Sequence, residues 1–106
     1  MGHARQEDLL DLEDVFCELR KLPGISERSH GVFYLKRMPF MHFHTKEGNR
    51  WADVKAGANW GPEIPVPFRC GRRAKYRFLK LVTERHHMIV ADAASRAQLC
   101  VDKPSC

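Results

Sequence analysis

With 106 residues, a net charge of +5 and 43% hydrophobic against 29% charged residues, the chain has the balance of one folded domain around a single core. It is too short for two cores and too apolar for a disordered tail. No apolar run reaches membrane-spanning length and the N-terminus lacks the apolar stretch of a signal peptide, so a cytoplasmic protein without a membrane partner is expected.

From Glu7 to Leu22, apolar Leu9, Leu12, Val15, Phe16, Leu19 and Leu22 recur at three- and four-residue steps and predict an amphipathic helix. Glu7, Asp8 and Asp11 in its opening turns and Arg20 and Lys21 in its last suit the helix dipole. Pro23-Gly24 ends it. Cys17 lies beside the apolar stripe and reads as a small near-core residue. The stretch LPGISERSH, 22–30, has no apolar period and is expected to be a loop, whereas β-branched and aromatic Val32 to Lys36 predicts a strand.

The segment MPFMHFHTKEGNRWADVK, Met38 to Lys55, predicts a β-hairpin: two alternating runs flank turn-forming Lys46-Glu47-Gly48-Asn49. With Glu47-Gly48 as a two-residue loop, His44 faces Trp51, Phe43 faces Ala52, His42 faces Asp53 and Met41 faces Val54. Side chains alternate across a strand, so Met41, Phe43, Ala52 and Val54 form a core face. His42, His44, Trp51, Asp53 and Lys55 form the other. A one-residue slip would mix the two sets.

Two imidazoles two residues apart on one strand lie about 7 Å apart at the Cα level, within reach of a shared ligand. His42, His44 and Asp53 are therefore candidate ligands for a divalent metal, with Asp53 alternatively orienting a histidine through a hydrogen bond. The plainer reading is a half-buried sheet face on which His42 hydrogen-bonds Asp53. No third histidine at ligand spacing and no cofactor fingerprint accompany the pair.

Residues 56–71, AGANWGPEIPVPFRCG, carry three glycines and three prolines and predict a long loop. Trp60 in it can close over a ligand on the histidine face or simply pin the loop. Ala74, Phe78, Leu79, Leu81 and Val82 then predict a second amphipathic helix from Arg72 to about His87. Met88-Ile89-Val90 fits either a continued helix or a short strand, Asp92 can cap a final helix through Leu99, and residues 100–106 are expected to fray.

Cys17, Cys70, Cys100 and Cys106 form no C-x-x-C pair, which excludes a zinc knuckle and a thioredoxin motif. Reduced thiols are expected. Spacing allows a Cys100–Cys106 crosslink, which a cytosolic setting disfavours. Cys70, set among Arg69, Arg72 and Arg73 before a helix start, is a candidate reactive thiol. The same arginines with Lys75 and Arg77 are candidate phosphate contacts for a nucleic acid, although no groove-reading motif accompanies them.

The string LPGISERSHGVFYLKRMPFMHFH followed by WADVK resembles the small bacterial domains labelled luciferase-like, which place an LPG turn after the first helix and an H-x-H strand ahead of an aDv-type strand. The resemblance covers Leu9 to His87 and leaves the cysteine-containing tail outside. It implies a fold and no chemistry, since nothing here forms a flavin or luciferin site. A weaker similarity, to the small α+β domains of the YjbR type, implies nucleic-acid binding, but no binding residue of that group maps onto this chain.

The expectation is an α+β domain, residues 1–106 with its core between about 7 and 90: an N-terminal helix, an antiparallel β-meander of about three strands, a Pro/Gly-rich loop and one or two C-terminal helices. The leading function is binding of a small molecule or protein partner on the face of His42, His44, Trp51 and Asp53, under Trp60. The alternatives are an enzyme using His42 or His44 as general base with Asp53 orienting it, and a nucleic-acid-binding domain.

Overall fold

The computed structural model describes residues 4–101, and the side chains of its C-terminal helix as far as Ala94. A 3₁₀ helix, Gln6–Leu12, runs into α1, Glu13–Leu19. The strands β1 (Ile25–Ser29), β2 (Val32–Leu35), β3 (Met38–Lys46), β4 (Asn49–Val54) and β5 (Ile64–Pro65) follow, and α2, Arg72–Val101, completes the described chain. The strands make one antiparallel sheet in sequence order. This is the expected α+β fold, with two strands more than expected. Among the described residues no helix is long and apolar enough to cross a membrane.

The first helix is split rather than continuous. A 3₁₀ helix eclipses residues i and i+3, and this puts Leu9 and Leu12 together at zero exposure. The α-helical turns that follow bury Val15, Phe16 and Leu19. Cys17 is exposed, not near-core, because its position on α1 lies outside that stripe. Its sulfur lies 4.0 Å from both a Glu13 carboxylate oxygen and an Arg20 guanidinium nitrogen.

Ile25–Ser29, expected as loop, is the edge strand β1. The Pro-rich loop likewise contains β5, where Trp51 pairs with Pro65 and Ala52 with Ile64. Proline is tolerated there because an edge strand needs only one row of hydrogen bonds. Of the expected one or two C-terminal helices, the described residues contain one: Met88-Ile89-Val90 continue α2, and Asp92 lies inside it rather than capping a new one. Residues 102–106, including Cys106 and most of the expected frayed tail, lie outside the described residues.

The central hairpin has the expected register, His44 opposite Trp51, Phe43 opposite Ala52, His42 opposite Asp53 and Met41 opposite Val54. Its two turn residues, Glu47 and Gly48, have φ of 52° and 79°. Two successive left-handed residues match the strand twist as a type I′ turn does. β2 meets β3 irregularly: Phe33 pairs with Met41 but Tyr34 with Pro39, leaving Phe40 as an extra residue. This β-bulge lets Phe40 and Met41, neighbours in sequence, both be buried.

Both helices pack on the core face of the sheet. Phe16 of α1 meets Phe33 and Phe43 at ring distances of 5.4 and 5.6 Å, and Phe78 of α2 meets Phe43 at 5.8 Å. Further along α2, His86 is buried edge-on to Phe40, its Nε2 2.7 Å from the Pro23 carbonyl oxygen.

Arg50, at the start of β4, has a side chain with zero exposure. Its Nε–H donates to the Val66 carbonyl at 2.7 Å, one terminal nitrogen to the Asp8 carbonyl and Asp11 carboxylate at 2.7 and 2.6 Å, and the other to Asp11 and the Pro67 carbonyl at 2.9 and 2.8 Å. All five guanidinium donors are used. The guanidinium also sits 4.6 Å from the Phe68 ring centre, and Val66 N–H returns a bond to the Arg50 carbonyl.

Replacing Arg50 by Met should cost about 3–5 kcal/mol, since it leaves Asp11 and three carbonyls without their donor; Lys should not restore it, lacking the planar fork. Urea denaturation of the two variants checks this, and a loss below 1 kcal/mol would contradict it. Arg50 holds the Asp11 carboxyl below its ordinary value of 3.8, chiefly by hydrogen bonding, against the opposing effect of burial. The stability this contributes is present above that ordinary value and is lost as pH falls through the lower folded one. Asp11→Asn should accordingly flatten the acid limb of a stability profile. At the hairpin tip, Glu47→Asn should raise stability by roughly 0.5–1 kcal/mol, because asparagine tolerates the left-handed conformation better than glutamate.

Candidate functional site

The hairpin that supplies the core with Met41, Phe43, Ala52 and Val54 places His42, His44, Trp51, Asp53 and Lys55 on its other side. Because both helices lie across the core face, the imidazoles and carboxylate keep access to solvent: side-chain exposure is 20% for His42, 17% for His44 and 23% for Asp53. These are half-buried polar groups brought together by backbone pairing.

The closest polar contact is diagonal. His44 Nε2 lies 2.9 Å from Asp53 Oδ2, while His42 Nε2, whose residue is directly opposite Asp53, is 4.0 Å from the same oxygen. The side chain nearest the Asp53 carboxylate is thus His44, not His42 as the pairing alone suggests. Diagonal neighbours on an antiparallel sheet are within reach of long side chains.

Aromatic contacts fix the two rings. The His42 and His44 rings meet nearly at right angles with centroids 4.5 Å apart, and His44 stacks on Trp51 at 5.4 Å with planes 24° apart. The His42 and Trp60 rings meet in a T-shaped contact with centroids 4.7 Å apart and planes at 84°. Trp51 Nε1–H is buried with no hydrogen-bond partner among the described residues.

Trp60 reaches this face because the chain after β4 doubles back at once. Lys55 and Trp60 form an antiparallel bridge, Ala56 N–H donates to the Asn59 carbonyl at 2.9 Å, and Gly61 N–H donates to the Val54 carbonyl at 2.9 Å. The Lys55 ammonium sits 4.6 Å from the Trp60 ring centre and donates to the Ala58 carbonyl. Trp60 remains 42% exposed, so its indole offers surface to anything that binds beside it.

His42, His44 and Asp53 each contribute a donor atom, all within 4.8 Å of one another. Chemically the group can hold a divalent metal, bind a small polar molecule, or move a proton through a carboxylate-oriented imidazole.

The other candidates do not join it. Cys70 is half-buried, packs against the core cluster, and donates its backbone N–H to the Pro67 carbonyl at 3.2 Å. Of the expected phosphate contacts, Arg72, Arg73 and Arg77 are exposed on α2, whereas the Lys75 ammonium lies 3.3 Å from Asp14. Arg69, at φ 56°, donates its backbone N–H to Asp11 at 3.1 Å. The residue overlooked in the sequence is Arg50, which fixes the start of β4 beneath this face. Its partner Asp11 is 39 positions away, beyond any local pattern.

Trp60→Ala should move the NMR signals of the His42 ring and the Lys55 side chain while leaving His86 in place, and should cost no more than about 1 kcal/mol, the scale of an exposed cation–π contact. Unchanged His42 signals in an assigned spectrum would contradict the placement of the indole. No family model matches this chain, and neither does any curated protein or solved structure.

Proposed function

We propose that this protein is a binding domain whose polar sheet face, formed by His42, His44, Trp51 and Asp53, takes a small polar ligand beside Trp60. The observation that carries the reading is the convergence of two imidazoles, a carboxylate and an indole, in contact yet partly open to solvent. Half-buried polar groups lose much of their hydration, and a ligand that supplies hydrogen bonds recovers it.

A small molecule fits better than a protein surface. The group covers two alternate positions on each of two neighbouring strands, far less than the roughly 800 Å² per partner of a stable protein interface. The half-exposed Trp60 supplies an aromatic wall on one side.

The 2.9 Å contact between His44 and Asp53 favours one alternative, an acid–base enzyme. In that reading Asp53 fixes the tautomer and orientation of His44, whose other nitrogen exchanges a proton with the substrate.

A panel of anionic, zwitterionic and neutral metabolites, followed through the assigned histidine and indole NMR signals, tests both readings. Binding predicts a saturable, selective shift of His42, His44 and the Trp51 N–H, weakened at least tenfold in His42→Ala and Trp60→Ala. Chemical conversion of the bound compound over time would favour the enzyme. Signals unmoved across every class would remove the small-ligand reading.

A further inference from the structure

We infer that His42, His44 and Asp53 form a mononuclear transition-metal site with an open coordination position, an inference that rests on the ligand-binding reading of this face and names what the ligand would bind to. Four features of the site point the same way.

The first is distance. Ligands of a tetrahedral zinc ion, at metal bonds of about 2.0–2.1 Å, stand about 3.3 Å apart. The His44–Asp53 and His42–Asp53 separations of 2.9 and 4.0 Å bracket that value, and all three donors fall within 4.8 Å. Small side-chain rotations bring them to equal spacing, with no change in the backbone register.

The second is preorganisation. The hydrogen-bonded β3–β4 pair fixes the Cα positions, the Glu47-Gly48 turn fixes its register, and ring contacts to Trp60 and Trp51 restrict the imidazoles. A site on paired strands loses little freedom when the ion binds.

The third is donor chemistry. Two imidazoles and one carboxylate suit zinc, cobalt or iron in the divalent state better than magnesium or calcium, which prefer all-oxygen sets. Coordination through His44 Nε2, the nitrogen that lies 2.9 Å from Asp53, requires the tautomer that carries the ring proton on Nδ1.

The fourth is number. Among the described residues three donors converge, and three protein ligands complete no tetrahedron, the pattern of metal sites that keep a position for water or a substrate. The place left beside Trp60 would then receive a ligand through an oxygen or nitrogen lone pair.

Zinc titration by calorimetry, cobalt titration by absorption and histidine NMR on the reduced full chain test this together. One equivalent of metal is expected, with His42 and His44 ring signals shifted and those of His30 and His86 unmoved. Affinity should fall at least ~100-fold in a His42→Ala, His44→Ala double variant, since even outer-shell changes cost 10- to 100-fold. Asp53→Asn, an isosteric change that keeps the sheet intact, should weaken binding at least tenfold and serves if the double variant fails to fold. Equal uptake by wild type and Asp53→Asn, or a near-ultraviolet thiolate–cobalt band showing capture by cysteines with the His42 and His44 signals unmoved, would overturn the site. A metabolite that shifts His42 and His44 without any metal response would overturn the metal and leave the ligand-binding reading standing; silence towards both would remove the two together.

Discussion

One guanidinium holds three separate parts of this chain in register. Arg50 ties the 3₁₀ helix through Asp8 and Asp11, the start of β4 through its own backbone, and the segment after β5 through Val66 and Pro67. Burying a charge is costly unless every donor is matched, and here every donor is. The same network fixes where α2 can begin, because Asp11 also accepts the Arg69 N–H just ahead of it. The N-terminal helices and the β5 segment thus meet at one residue of the strand that carries Trp51 and Asp53.

The division of labour across the sheet follows from this anchoring. The core face is aromatic and buried, with Phe16, Phe33, Phe43 and Phe78 in edge and tilted contacts. The other face holds the half-buried polar groups. Such groups persist on a sheet only where they satisfy one another or meet something from solution. His44 and Asp53 do the former, and the buried Trp51 N–H shows that satisfaction is incomplete among the described residues.

What could be read in the sequence was whatever depends on local period. The hairpin register followed from two alternating runs and a glycine, and its pairings agree residue by residue. β1 was hidden because an edge strand needs little apolar content: in Ile25–Ser29 only Ile25 packs against the core. β5 was hidden because two residues of backbone pairing leave no pattern at all. The uninterrupted α2 escaped periodicity because the apolar residues Met88 and Val90, although helical, are exposed and so break the buried stripe. For the polar face, alternation identified the residues, but the diagonal approach of His44 to Asp53, closer than that of His42 opposite, depends on side-chain rotamers that no sequence pattern encodes.

The bulge at Phe40 has an evolutionary consequence. In β3 the side chains of Met38, Phe40, His42 and His44 all have even numbers, so a regular strand would send them to one face, and either the histidines would enter the core or the phenylalanine would leave it. The extra residue shifts the phase between Phe40 and Met41, allowing Phe40 to pack beside His86 while the histidines face outward. It acts as a clutch between two halves of one strand. One inserted or deleted residue between Met41 and the Glu47-Gly48 turn would exchange the polar and core faces at a stroke.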